Sequence, residues 1–173
     1  WYPALEADYT DPRTVESALR EWGDVFRQLP RLDHVLIPGG DPGHTRPPVL
    51  FAFLGKVSAV LREHHPQARM WISPQGFTRE WMDEFYGLLR NDPAWLHGVV
   101  YGPQCRDELP VLRKEVPARY PIRFYPDITH SRHCQFPVPD WDLAYAMAEG
   151  REVINPRPRD EAVIIRQLMP YTL

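Results

Sequence analysis

The stretch Leu32-Asp33-His34-Val35-Leu36-Ile37-Pro38-Gly39-Gly40-Asp41-Pro42-Gly43-His44 decides how the rest of the chain is read. Val35, Leu36 and Ile37 form the aliphatic, β-branched run of a strand covered on both faces. Pro38, Gly39, Gly40, Pro42 and Gly43 forbid its continuation, so the chain must turn at Asp41. Glycines on either side would let the backbone approach a ligand closely, and Asp41 and His44 are the two side chains there able to move protons near neutral pH. Gly, Pro and Asp also make ordinary surface turns. What the other strand ends carry decides between the two.

Helical and strand patterns alternate outward from this point. Thr10-Asp11-Pro12 predicts a helix cap, with Val15, Leu19, Trp22, Val25, Phe26 and Leu29 at helical spacing before the strand at 33–37. Pro47-Pro48 opens a second helix with Leu50, Phe53, Leu54, Val57, Val60 and Leu61 on one stripe, followed by a strand over Arg69-Met70-Trp71-Ile72. Thr78 caps a third helix through Trp81, Phe85, Leu88 and Leu89, and Leu96 to Tyr101 reads as the next strand. Asp107 is expected to start a short helix through Leu109, Leu112 and Val116, followed by a strand at 122–125. A helix from Asp140, a strand at 152–154 and a helix from Asp160 complete the pattern. This is an α/β alternation of βαβ units around a parallel sheet.

Composition sets the outer limits. With 43% hydrophobic residues and a net charge of −3 in 173 residues, the chain is a globular protein of one ordinary domain, not a disordered or nucleic-acid-binding one. No apolar run reaches the length of a membrane span, and no leader pattern is visible. The compartment stays open. Cys105 and Cys134 form neither a disulfide framework nor a zinc spacing, so both are expected to be buried or idle thiols.

Each strand ends in a polar or turn-rich cluster: Asp41 and His44, Ser73-Pro74-Gln75, Gly102-Pro103-Gln104, then Asp127, His130 and Ser131, then Asn155. Chemistry at the carboxyl end of every strand is the habit of a TIM barrel, whereas a doubly wound sheet gathers it at one switch point. The absence of a Gly-x-Gly-x-x-Gly or P-loop also weighs against a nucleotide fold.

The later strand ends, Trp71-Ile72-Ser73-Pro74-Gln75-Gly76-Phe77, Val100-Tyr101-Gly102-Pro103, Tyr125-Pro126-Asp127-Ile128 and Asn155-Pro156 followed by Glu161-Ala162, resemble the fifth to eighth strands of glycoside hydrolase family 84. These are the O-GlcNAcase and bacterial hyaluronidase-like β-N-acetylglucosaminidases, built on a TIM barrel. The resemblance spans roughly residues 33–165 and is carried by short motifs. It implies that Phe77 stands for a pocket tyrosine, Tyr125 for a pocket tryptophan, and Asp127 and Asn155 for sugar-binding asparagines. Tyr101, Tyr125, Phe136 and Trp141 are candidates for a sugar-stacking platform and His130 for substrate contact, while Trp71, Trp81 and Trp95 are expected in the core.

One departure matters. The family's fourth strand ends in two adjacent aspartates, one orienting the substrate's acetamido group and the other acting as general acid and base. Here Pro38-Gly39-Gly40-Asp41-Pro42 holds a single carboxylate. The same segment resembles the Gly-Gly-Asp-Glu of family 20 hexosaminidases, with Pro42 in the place of the catalytic glutamate. Glycoside cleavage needs an acid for the leaving oxygen and a nucleophile or base, unless the substrate supplies its own nucleophile. Asp41 is the candidate for one role, and His44 or Asp127 for the other.

A metal reading competes through Asp127-x-x-His130-x-x-His133-Cys134, but x-x spacing in a proline-bearing loop aligns no ligand set, so neither metal nor cofactor is expected. His64-His65 reads instead as a cationic pair at a helix C-terminus.

Five strands are counted, where a closed eight-stranded barrel takes about 250 residues. The chain therefore reads as residues 1–173 of the C-terminal part of one TIM-barrel catalytic domain, roughly its fourth to eighth strands, with the first strands missing and an incomplete edge able to associate with a neighbour. The favoured function is a glycoside hydrolase of β-N-acetylhexosaminidase type acting on a carbohydrate in the barrel mouth. The alternatives are a sugar-binding barrel that has lost its acid and a metal-dependent hydrolase.

Overall fold

The structure, a computed structural model, describes residues 7–40, 44–102 and 104–124, with Phe124 described by its main chain alone. It concerns the first of the chain's two structural units, Trp1–Ile122, with the two residues that follow.

Helix α1 (Pro12–Gln28) begins where Asp11 accepts the Arg13 N–H at 2.9 Å, with Pro12 in the first turn, where its missing N–H costs nothing. It buries Val15, Trp22, Gly23 and Phe26 and ends as Leu29 turns extended ahead of Pro30. Strand β1 (His34–Pro38) follows, then α2 (Pro47–His64), opened by its two prolines. Leu50, Phe51, Phe53, Leu54, Val57, Ser58 and Leu61 are all buried on α2, a stripe too broad for one contact face. Accordingly α2 packs between α1 and α3 (Arg79–Arg90). Trp22 meets Phe53 edge-on at 6.3 Å, and Phe51 meets Phe85 at 6.0 Å. The Thr78 hydroxyl caps α3 by accepting the Trp81 N–H at 3.2 Å.

Strands β2 (Arg69–Ser73), β3 (Leu96–Tyr101) and β4 (Ile122–Phe124) complete a four-stranded parallel sheet in the order β1-β2-β3-β4. The α/β expectation holds for these residues. Val35 pairs with Met70, Ile37 with Ile72, and Ile72 with Val99, so these side chains share one face of the sheet and all are buried. β2 is buried from Met70 through Ser73, as an interior strand must be, whereas β1 alternates buried and half-buried positions. The register of β2 on β3 slips between Met70 and Trp71. There the indole crosses Gly98, where a Cβ would stand 2.4 Å from Trp71 Cζ3. Only a glycine admits the ring. Trp71 Nε1 donates to His34 Nδ1 at 3.0 Å, and its ring meets His97 edge-on at 4.8 Å.

Boundaries agree with the sequence reading within a residue or two, apart from the fourth helix. α4 (Leu109–Glu115) starts after Glu108, not at Asp107, because the Asp107 carboxylate is bonded elsewhere. The elements expected beyond residue 124 lie outside the described residues. Among the described residues no helix is long and apolar enough to cross a membrane.

Candidate functional site

Because the strands are parallel, the loops after β1, β2 and β3 leave the same end of the sheet. They are stitched to one another through the main chain. The Gly40 N–H donates to the Gln75 carbonyl at 2.7 Å, and the Gly76 N–H donates to the Gln104 carbonyl at 3.1 Å. Gln75 and Cys105 face each other in an antiparallel bridge. Among the described residues, each loop also holds one in the left-handed region: His44 at φ 45°, Gly76 at 70° and Gln104 at 58°. For His44 and Gln104 such a conformation is uncommon and needs support from the surroundings.

The glycines of the opening motif have a different task from the one the sequence suggests. A Cβ on Gly39 would stand 2.4 Å from the Ser73 carbonyl oxygen and 2.6 Å from Phe77 Cζ. The close approach is therefore to the loop after β2 and to the Phe77 ring. Phe77 is 2% exposed and meets Trp81 at 5.9 Å and Phe85 at 5.7 Å, edge-on in both cases. This corrects the sequence expectation of a pocket residue: the ring fills the core beneath the Gly39-Gly40 turn and shows no face to a ligand.

His44 is exposed, and its N–H donates to the Gly40 carbonyl at 3.3 Å. Asp41 itself lies outside the described residues, as do Tyr125, Asp127, His130 and Asn155 and the alternative ligands His133 and Cys134. Phe136 and Trp141 lie outside them too. Tyr101 is half-buried at the end of β3, and burial raises its pKa.

A buried cluster ties two of these loops together from beneath. Asp107, 5% exposed in the loop before α4, accepts both terminal guanidinium nitrogens of Arg79, one of them at 3.2 Å, and the Tyr86 hydroxyl at 2.7 Å. The Arg79 hydrogen bond holds the Asp107 carboxyl below its ordinary pKa, with Tyr86 assisting against desolvation. Burial, then the bond to Asp107, pushes the Tyr86 phenol up. Arg106 Nε reaches the Phe77 carbonyl at 3.3 Å. Burial pushes the neighbouring Cys105 thiol up to about 11, the inert behaviour expected of it.

Sequence reasoning missed Arg79 and Tyr86 and placed Asp107 at the start of a helix. The available signal was their spacing, since residues seven apart lie two turns along one face of a helix and can share a partner. Trp71 is buried, and Trp81 and Trp95 are half-buried against Phe77 and Phe51. His65 Nε2 donates to the Phe26 carbonyl at 2.8 Å, bracing the end of α2 against the last turn of α1.

Among the described residues no three His, Cys, Asp or Glu side chains stand together as a metal site. An apolar groove lined by Trp22, Phe26, Leu29, Leu32, Val35 and Leu36 runs between α1 and β1, and none of the described candidate residues lines it. No family model, curated protein or solved structure matches the chain.

Proposed function

We propose that the chain contributes to a (β/α)8-type barrel whose carboxyl-end rim holds a carbohydrate and hydrolyses a glycosidic bond, in the manner of a β-N-acetylhexosaminidase. The observation that carries this reading is the link from the Gly40 N–H to the Gln75 carbonyl, which fixes the residue before Asp41 against the neighbouring strand end. Catalytic groups of a barrel enzyme come from several strand ends that share one mouth. A rim bonded from loop to loop gives such groups a common frame.

The order of the strands supports the barrel. A doubly wound sheet reverses direction at a switch point, whereas β1-β2-β3-β4 steps one way throughout. Right-handed crossovers taken in one direction place every helix on the same face, as in a barrel wall. β1 is one of the two edge strands among those described and lies beside the apolar α1 groove, and a further strand, from this chain or a neighbour, would pair at its free edge.

In this reading the substrate's acetamido oxygen attacks its own anomeric carbon, so the protein need supply only an orienting carboxylate and an acid for the leaving oxygen. Asp41 takes one of these roles. His44, exposed on the same loop, or Asp127 takes the other. Tyr101, half-buried at the end of β3, joins Tyr125, His130 and Asn155 in the proposed sugar contacts.

The second reading is a sugar-binding protein without turnover, favoured by Pro42 in the place of a second carboxylate. Release of 4-nitrophenol from a panel of aryl glycosides, run beside calorimetric titration with N-acetylglucosamine, separates the two. Turnover supports the hydrolase, and binding without turnover supports the lectin-like alternative.

A further inference from the structure

We infer that Asp107 is a positioning residue: through Arg79 and Tyr86 it sets where the loops after β2 and β3 stand relative to each other, and so shapes the rim on which the proposed sugar site depends. The catalytic side of this inference rests on the reading above.

The geometry is specific. Arg79 opens α3 directly after the loop from β2, and Tyr86 lies two turns further on. Both converge on one carboxylate that belongs to the loop after β3. Asp107 is almost fully buried, while the Arg79 side chain is half in solvent. A buried charge is costly unless it is paired and hydrogen-bonded. Replacing such a cluster with apolar side chains of similar volume is often neutral or stabilising, so cohesion alone does not call for a carboxylate here. What a forked guanidinium and a phenol add is direction, because each bond fixes an angle as well as a distance. Around this anchor lie two main-chain links, Gly76 N–H to the Gln104 carbonyl and Cys105 N–H to the Gly102 carbonyl at 3.3 Å, and one from the Arg106 side chain to the Phe77 carbonyl. Asp107, Arg79 and Tyr86 are given no part in the proposed chemistry, so their effect on a ligand passes through the loops.

The test compares Asp107→Asn and the milder Tyr86→Phe with the unaltered chain by site-resolved hydrogen exchange and by aryl-glycoside kinetics. Exchange at the Gly76 and Cys105 amides is expected to speed up by about tenfold or more, with Arg69 and Val99 in the sheet nearly unchanged. KM is expected to rise by about tenfold while kcat changes far less. Equal acceleration at loop and sheet amides would make Asp107 a general stability residue and overturn the inference, as would unchanged Gly76 and Cys105 amides in both variants. If the unaltered chain cleaves no glycoside, the functional reading falls, and the exchange comparison still decides the positioning role.

Discussion

The Gly40 N–H donates to the Gln75 carbonyl at 2.7 Å, so the main chain just after β1 is registered on the loop after β2. The position of Gly40 is therefore set by the main chain. It depends on the absence of side chains at Gly39 and Gly40, which lets the turn close over Phe77.

Gly39→Ala is the direct test of that closure. Its Cβ would meet the Ser73 carbonyl and the Phe77 ring below 3 Å, and backbone cannot swing aside as a flexible side chain can. A loss of about 3 kcal/mol is expected, at the upper end of the usual overpacking range. Urea unfolding should show a lower midpoint at unchanged slope, and a neutral result would mean that the turn does not close on Phe77.

Gly87→Ala should do the opposite. The residue lies within α3, and a Cβ there would meet nothing within 4 Å. Removing the glycine's extra freedom in the unfolded chain should stabilise the protein by about 0.5–1 kcal/mol, read as a higher melting temperature.

Acid should release Asp107. Its folded pKa is depressed, chiefly by Arg79, so its contribution to stability is present above the ordinary value of 3.8 and fades as pH falls through the folded pKa. The stability difference between the unaltered chain and Asp107→Asn should therefore be largest near neutrality and shrink toward pH 3. A difference that is the same at pH 7 and pH 3 would remove the charge from the explanation.

Cys105 should resist alkylation. A thiol shifted from 9.0 to about 11 carries roughly a hundredfold less thiolate at a given pH below both values. In a Cys134→Ser background, iodoacetamide at pH 8 should label the folded protein far more slowly than the same protein in urea. Equal rates would place the thiol in solvent.

The helices and strands were legible because their signals are local. Asp11-Pro12, Pro47-Pro48 and Thr78 mark helix starts, and the apolar periods of α1, α2 and α3 follow from them. The rim was legible only in outline. Gly39 and Gly40 announce a close backbone approach without saying to what, and the partner proves to be Phe77, thirty-odd residues along the chain. Asp107 shows the same limit. Before a helix an aspartate reads as a cap, and only the tertiary meeting of α3 with the next loop reveals Arg79 and Tyr86 as its partners. A carboxylate's local options are visible in sequence, while the competition that tertiary bonds win is not.

The measurement that bears most directly on the proposed function is 4-nitrophenol release from N-acetylglucosaminide and a panel of other aryl glycosides, by this chain in its longest natural form and by its Asp41→Asn variant. The expected result is cleavage of the N-acetylglucosaminide that falls by at least about a thousandfold in a variant that still folds, as loss of a group acting directly in the chemistry would give. Equal turnover by both proteins would remove Asp41 from the mechanism, and no turnover of any glycoside by the unaltered chain would contradict the hydrolase reading.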